Sequence, residues 1–153
     1  MMFSRRAEGL AVLLVHPGGP FFRNKDLGFW TIPKGLPERG ETLEAAARRE
    51  FVEEVGIAPA EQCYSLGSVT QKAGKEVHAW AFEGELPADF VLCAQTFPLE
   101  WPPRSGRMQI FPEVDQAKMF LLEEARQKIN AAQSAFLDRV EALILAEFKS
   151  PKP

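Results

Sequence analysis

Six glutamates and three arginines stand in the run GLPERGETLEAAARREFVEEVGI, between Gly35 and Ile57. The run carries as much net negative charge as the whole chain, whose formal charge is −3. Glu50, Glu53 and Glu54 fall within five positions, and like charges one helical turn apart repel. Carboxylates held together in this way need a counter-charge. Arg48 and Arg49 supply some. A divalent metal supplies more, and hard oxygen donors suit Mg²⁺ or Mn²⁺.

The elements that must hold these residues are legible on either side. Thr42 is placed to cap a helix, with Glu44 in its first turn near the positive end of the helix dipole. Gly56 is placed to end it in the left-handed conformation. A helix is therefore predicted over 43–55. On a wheel at about 100° per residue, Leu43, Ala47, Phe51 and Val55 make an apolar stripe. Glu50, Glu53 and Glu54 share an arc of about 100° that abuts this stripe. A solvated acidic face, the competing reading, would point away from Phe51.

Further out, GLAVLLVHP (9–17) reads as a buried strand and FWTIP (29–33) as a short one. CYSLGSVTQ (63–71) and EVHAWAFEG (76–84) read as a hairpin turned at KAGK. Residues 86–108 read as Pro-rich and irregular, and IFPEVDQAKMFLL (110–122) as holding another strand. A last helix is predicted over 131–148, with Phe136, Val140, Leu143, Ile144 and Phe148 on one stripe. The sum is a single domain over 1–153, α/β or α+β, with helices against a mixed sheet.

A composition of 46% hydrophobic and 25% charged residues is that of a soluble globular protein. The charge leaves no footprint for a nucleic-acid polymer, and no apolar run approaches a membrane span. The opening MMFSRRAEGLAVLLVHPGG leads into His-Pro-Gly-Gly rather than a cleavage site, so no signal peptide is expected. Cys63 and Cys93 lack metal-ligand spacing and are expected as buried free thiols in a reducing cytoplasm.

Gly35, Glu41, Arg49-Glu50, Phe51, Glu53-Glu54, Gly56 and Ile57, at these spacings, resemble the complete Nudix box, with every fixed position matched. The surrounding strand order is similar as well. FWTIPKG before the box is similar to dinucleoside tetraphosphate hydrolases, alongside small bacterial MutT-like proteins. The resemblance implies an α/β/α sandwich with a mixed sheet, in which the box forms a loop–helix–loop. It implies hydrolysis of a nucleoside diphosphate linked to some group X, by water attack on phosphorus, with Mg²⁺ or Mn²⁺ as cofactor. Carried over by position, Glu53 and Glu54 are implied metal ligands, and Glu50 a ligand or the general base. Arg49 would orient that carboxylate, and Glu41 would support the cluster or contact Arg49. Gly35 would lend a carbonyl or permit the turn, and Gly56 would cap the helix. The implied partner is a small nucleotide, with no nucleic-acid polymer and no membrane, and the protein a cytoplasmic monomer or homodimer. Such domains usually begin with a strand beside the box; MMFSRR leaves space for a very short one or none.

Outside the box, Lys34 at the mouth of the loop is a phosphate-binding candidate or a solvated lysine. Lys72 and Lys75 in the hairpin turn are weaker candidates of the same kind. His78, Trp80 and Phe82 alternate onto one strand face. If that face is the cleft, Trp80 stacks on a base and His78 reaches phosphate; otherwise Trp80 and Phe82 are core. Trp101, Arg104 and Arg107 in the Pro-rich passage suit stacking and forked hydrogen bonds to phosphate, against a purely structural loop. Glu100 or Glu113 is a candidate further ligand or base. Dinucleoside polyphosphates lead as substrates, then nucleoside triphosphates, then ADP-ribose or a nucleotide sugar. The alternative is a nucleotide-binding or regulatory module without turnover.

Overall fold

The computed structural model describes residues 1–149; residues 150–153, and the side chains of Ala73, Phe148 and Lys149, lie outside the described residues. In chain order the elements are β1 (Met2–Arg6), β2 (Gly9–Pro17), α1 (Leu43–Val55), β3 (Tyr64–Thr70) and β4 (Glu76–Glu83). β5 (Thr96–Glu100), β6 (Met108–Pro112), β7 (Val114–Leu121), α2 (Leu122–Lys128) and α3 (Ala135–Lys149) follow. Five strands form one mixed sheet in the order β3-β4-β1-β2-β7, with β1 parallel to β4 and the other neighbours antiparallel. β5 and β6 pair separately as an antiparallel hairpin.

Alternation along β2 builds the core on both faces of the sheet. Val12 and Leu14 join Phe3, Trp30, Phe120, Phe136, Leu137 and Val140 beneath α2 and α3. Leu13 and Val15 join Met2, Phe51, Val55, Phe82 and Val114 beneath α1. The Phe51 and Phe82 rings meet edge to face, 5.0 Å between centroids, which clamps the helix to β4. Phe82 is therefore core, whereas Trp80 beside it is half-buried.

The first strand is short but present, and it lies inside the sheet between β4 and β2. FWTIP is not a strand: Trp30 and Thr31 make isolated bridges to Ile129 and Val15, because the chain must leave the sheet to form the box loop. The passage read as irregular holds the β5–β6 hairpin, in which Phe97 faces Phe111. Pro98 and Pro112 sit in that two-stranded ribbon, where open edges demand no donor from them. The last helix is α3, which begins at Ala135; the start of the segment read as one helix is a separate 3-10 turn at Ala131–Gln133, and α2 before it was not expected. Cys63 and Cys93 are free, but half-buried and exposed rather than buried. Among the described residues no helix is long and apolar enough to cross a membrane.

Candidate active site

α1 runs from 43 to 55 as its capping residues dictate. The Thr42 hydroxyl accepts from Ala45 N at 3.2 Å, and Gly56, at φ 82°, donates its N–H to Val52 O at 2.8 Å. Phe51, Val55 and Ala46 are buried; Leu43, placed on the same stripe from sequence, is 44% exposed and faces a cavity instead.

Arg49 is the hub of the cluster. Its Nε and Nη2 donate to the two oxygens of Glu41, both at 3.0 Å. Nη1 donates to Glu50 Oε1 at 2.9 Å and to Glu53 Oε2 at 3.0 Å, and Nη2 also reaches Leu36 O at 2.9 Å. One guanidinium thus ties three carboxylates to the loop that precedes them, a use suited to its planar fork. The Arg49 guanidinium holds Glu41 below the usual carboxylate range, helped by the Glu38 N–H. Reciprocally, Glu41 first and Glu50 next push Arg49 further up.

Gly35 lies against Glu50. A Cβ built there would stand 1.9 Å from the Glu50 carboxyl carbon, so only glycine lets this carboxylate seat on the loop. Glu54 accepts from Lys34 N at 3.1 Å. Burial pushes its carboxyl up to about 7; Lys34 opposes this, while the charges of Glu50 and Glu113 add to it. Glu113 is therefore brought within electrostatic reach of the box. Its backbone is strapped there by Gly18 N–Glu113 O at 2.9 Å and Glu113 N–Gln95 O at 2.8 Å. Glu100 is not brought there; it accepts from Gly106 N at 2.7 Å and shapes the hairpin tip.

Among the described residues no three His, Cys, Asp or Glu side chains stand ready as a metal cage, since Arg49 draws Glu50 and Glu53 to itself. The donor chemistry nonetheless fits a divalent cation. Three hard carboxylates share one end of α1, and Glu54 resists ionisation chiefly because it is buried, a penalty that a cation beside it would offset.

Beside the box lies a cavity of about 130 Å³ lined by Lys34, Gly35, Leu43, Lys75, His78 and Trp80, among others. His78 and Trp80, two of the three residues that the alternation put on one face, thus meet Lys34 there, while Phe82 is core. Lys75 joins them from the β3–β4 turn, and the small Ala46 and Ala47 leave room on the helix. Trp101, Arg104 and Arg107 do not line this cavity. They occupy the β5–β6 tip, where Trp101 packs edge-on against Phe21 at 5.3 Å and both arginines are exposed. Sequence reasoning missed Gln133, wholly buried, whose Oε1 accepts from Ile32 N at 3.0 Å and fixes the chain where it enters the box loop. The only trace of it in the sequence is a polar residue just ahead of an apolar helix.

The NUDIX domain family model matches residues 1–140, which hold every element described but the later turns of α3. The chain belongs to the NUDIX domain family. It is accordingly a pyrophosphohydrolase with the Nudix α/β fold. Solved Nudix structures share that fold. One is a binary complex of the C. elegans Ap4A hydrolase, 23% identical over 95% of both chains, with a TM-score of 0.67. Another is the NUDIX domain of Shewanella oneidensis NrtR complexed with ADP ribose, 18% identical over 94% of this chain and 83% of that one, TM-score 0.63. A MutT protein from Methanosarcina mazei Go1 is 22% identical over 97% and 92%, TM-score 0.57.

Proposed function

We propose that this Nudix protein hydrolyses the diphosphate linkage of a nucleoside diphosphate derivative, foremost a dinucleoside polyphosphate, with Mg²⁺ or Mn²⁺ as cofactor. The carrying observation is convergence: Glu50, packed on Gly35, and Glu54, bound to Lys34 N, adjoin a cavity lined by Lys34, Lys75, His78 and Trp80. Structural likeness to the C. elegans Ap4A hydrolase supports this order of substrates. The free thiols of Cys63 and Cys93 accord with a reducing cytoplasm.

Glu53, Glu54 and the free oxygen of Glu50 would hold the cation, with the Gly35 carbonyl beside them. When bound, the cation supplies positive charge to phosphate oxygens and acidity to water. The chain's own groups do the rest. Arg49 keeps the Glu50 and Glu53 carboxylates aimed and the loop closed around them. Glu50 would serve as a ligand or as the base that takes the proton from the attacking water. The new P–O bond forms as the bridging P–O bond breaks, and the leaving phosphate oxygen receives a proton. Lys34 and Lys75 offer ammonium groups to the phosphates, His78 a further donor, and Trp80 a ring for a base. Trp101, Arg104 and Arg107 would take the far end of the substrate.

The test is a phosphate-release panel of dinucleoside polyphosphates, nucleoside triphosphates, ADP-ribose and nucleotide sugars, run with Mg²⁺, Mn²⁺ or EDTA. Turnover with metal, silence in chelator and a lead for dinucleoside polyphosphates are expected. Full turnover in EDTA refutes the metal requirement, and tight binding without turnover anywhere on the panel refutes hydrolysis.

A further inference from the structure

A second and larger cavity, of about 510 Å³, opens on the α2 side of the sheet and shares no lining residue with the one beside the box. Its volume is in the range of small-molecule sites. Four cations line it, Arg23, Lys25, Lys118 and Lys128, against two acids, Asp26 and Glu124. Asp26 is already engaged, by Lys128 Nζ at 2.5 Å and Trp30 Nε1 at 2.8 Å. Among the described residues no acid pairs with Arg23, Lys25 or Lys118. Two of these ammonium groups lie over ring faces instead, Lys118 Nζ 5.8 Å from the Trp30 centroid and Lys25 Nζ 4.7 Å from that of Phe29. A ring face is a weaker partner for an ammonium than an anion. A chain of net charge −3 thus gathers unpaired positive charge in one concavity.

The walls are fixed in advance. Buried His16 bridges the two sides, with Nδ1 hydrogen-bonded to Asp115 Oδ1 and Nε2 to Lys25 O, each at 2.7 Å. Gly28 N donates to Gln127 O and Trp30 N to Lys128 O, each at 3.0 Å, sewing the loop to α2. A ligand entering here meets cations on a rigid frame rather than on a swinging loop, which lowers the ordering cost of binding.

We propose that this cavity is a second ligand site, separate from the hydrolytic centre, for a small molecule carrying two or more phosphates, held by Arg23, Lys25 and Lys118 beside Trp30 and Phe120. The test is calorimetric titration of the whole chain in EDTA, which withholds the metal bridge that the box would use, with inorganic tripolyphosphate and ADP as probes. One-to-one binding is expected. Arg23→Ala/Lys118→Ala should weaken it by about 10-fold or more, while Lys34→Ala/Lys75→Ala leaves it unchanged. Tighter binding of tripolyphosphate than ADP identifies an inorganic polyphosphate, and the reverse identifies a nucleotide. The proposal is overturned if wild type binds neither probe, if the Arg23/Lys118 variant binds as wild type does, or if both variants weaken alike. Arg23 and Lys118 are exposed, so the variant should keep its fold, and a thermal melt checks this. Since binding without metal is the readout, failure of the hydrolytic reading would leave this result standing.

Discussion

Glu54→Gln should make the metal-free protein more stable, and only at high pH. The Glu54 carboxyl sits at about 7 in the folded chain, against 4.5 ordinarily, chiefly because burial penalises its charge. The folded state therefore holds this proton where the unfolded state has lost it. Below the unfolded value nothing is lost; stability falls as pH rises between the two values, and the full penalty stands above the folded one. At 1.36 kcal/mol per unit the ceiling is about 3 kcal/mol. Water reaching the part-exposed carboxylate reduces this to about 1–2 kcal/mol. For a chain of this length that is roughly 3–8 °C in Tm. Glutamine has no charge to desolvate, and its carbonyl can still accept from Lys34 N. Thermal melts in EDTA, at about pH 5 and about pH 8, should therefore show the variant's advantage growing from near zero to several degrees. Saturating Mg²⁺ should then stabilise wild type by about 2.7 kcal/mol at a hundredfold excess over Kd, and the variant by less. An advantage independent of pH, or none at the higher pH, refutes the reasoning.

Arg49→Lys replaces a fork serving three carboxylates with a point charge, and kcat should fall by about 10²-fold or more; near-normal kcat in steady-state assays would show that a charge alone suffices. Gly35→Ala should cost at least about 10-fold in kcat/KM with little change in Tm, because the atom displaced is the end of the Glu50 side chain rather than backbone; circular dichroism melts check the second half. Trp80→Ala should raise KM by roughly 10-fold, about 1.4 kcal/mol, with kcat nearly unchanged. Trp101→Ala and Arg107→Ala are expected to do the same for a dinucleoside polyphosphate but not for a mononucleotide; equal KM values for both substrates would leave the hairpin tip a structural feature.

What was legible in the sequence was what is local. Thr42 and Gly56 bound the helix through hydrogen bonds to residues three and four positions away, so both ends were readable. The spacing of Glu50, Glu53 and Glu54 required one arc, and Arg49 holds two of them through a single nitrogen. Distant partners were not readable. β1 pairs locally with β2, but Met2 and Phe3 are drawn inside the sheet by Phe82 and Glu83, some 80 positions away, and nothing near Met2 announces that neighbour. FWTIP has strand composition, yet Trp30 and Thr31 serve two different neighbours, Ile129 and Val15, and no ladder grows from either. The Pro-rich passage concealed a hairpin, since strand signals count proline against pairing while a two-stranded ribbon tolerates it at its open edges. Leu43 had the right phase for the core, but the helix begins where the cavity lies.

The box loop is fastened at Ile32 by Gln133, at Lys34 by Glu54 and at Leu36 by Arg49, and none of these fasteners comes from β4, the β3–β4 turn or the β5–β6 tip. The hydrogen bonds that fasten the loop are thus separate from the surfaces proposed to choose the substrate, and α1 meets β4 through the packing of Phe51 on Phe82. Among the described residues no side-chain hydrogen bond joins Lys75, His78, Trp80 or Trp101 to Glu50, Glu53 or Glu54, which bond to Arg49 and Lys34 N instead. A scaffold divided in this way lets preference for the group X drift, one tolerated surface change at a time, while the hydrolytic apparatus stays in register.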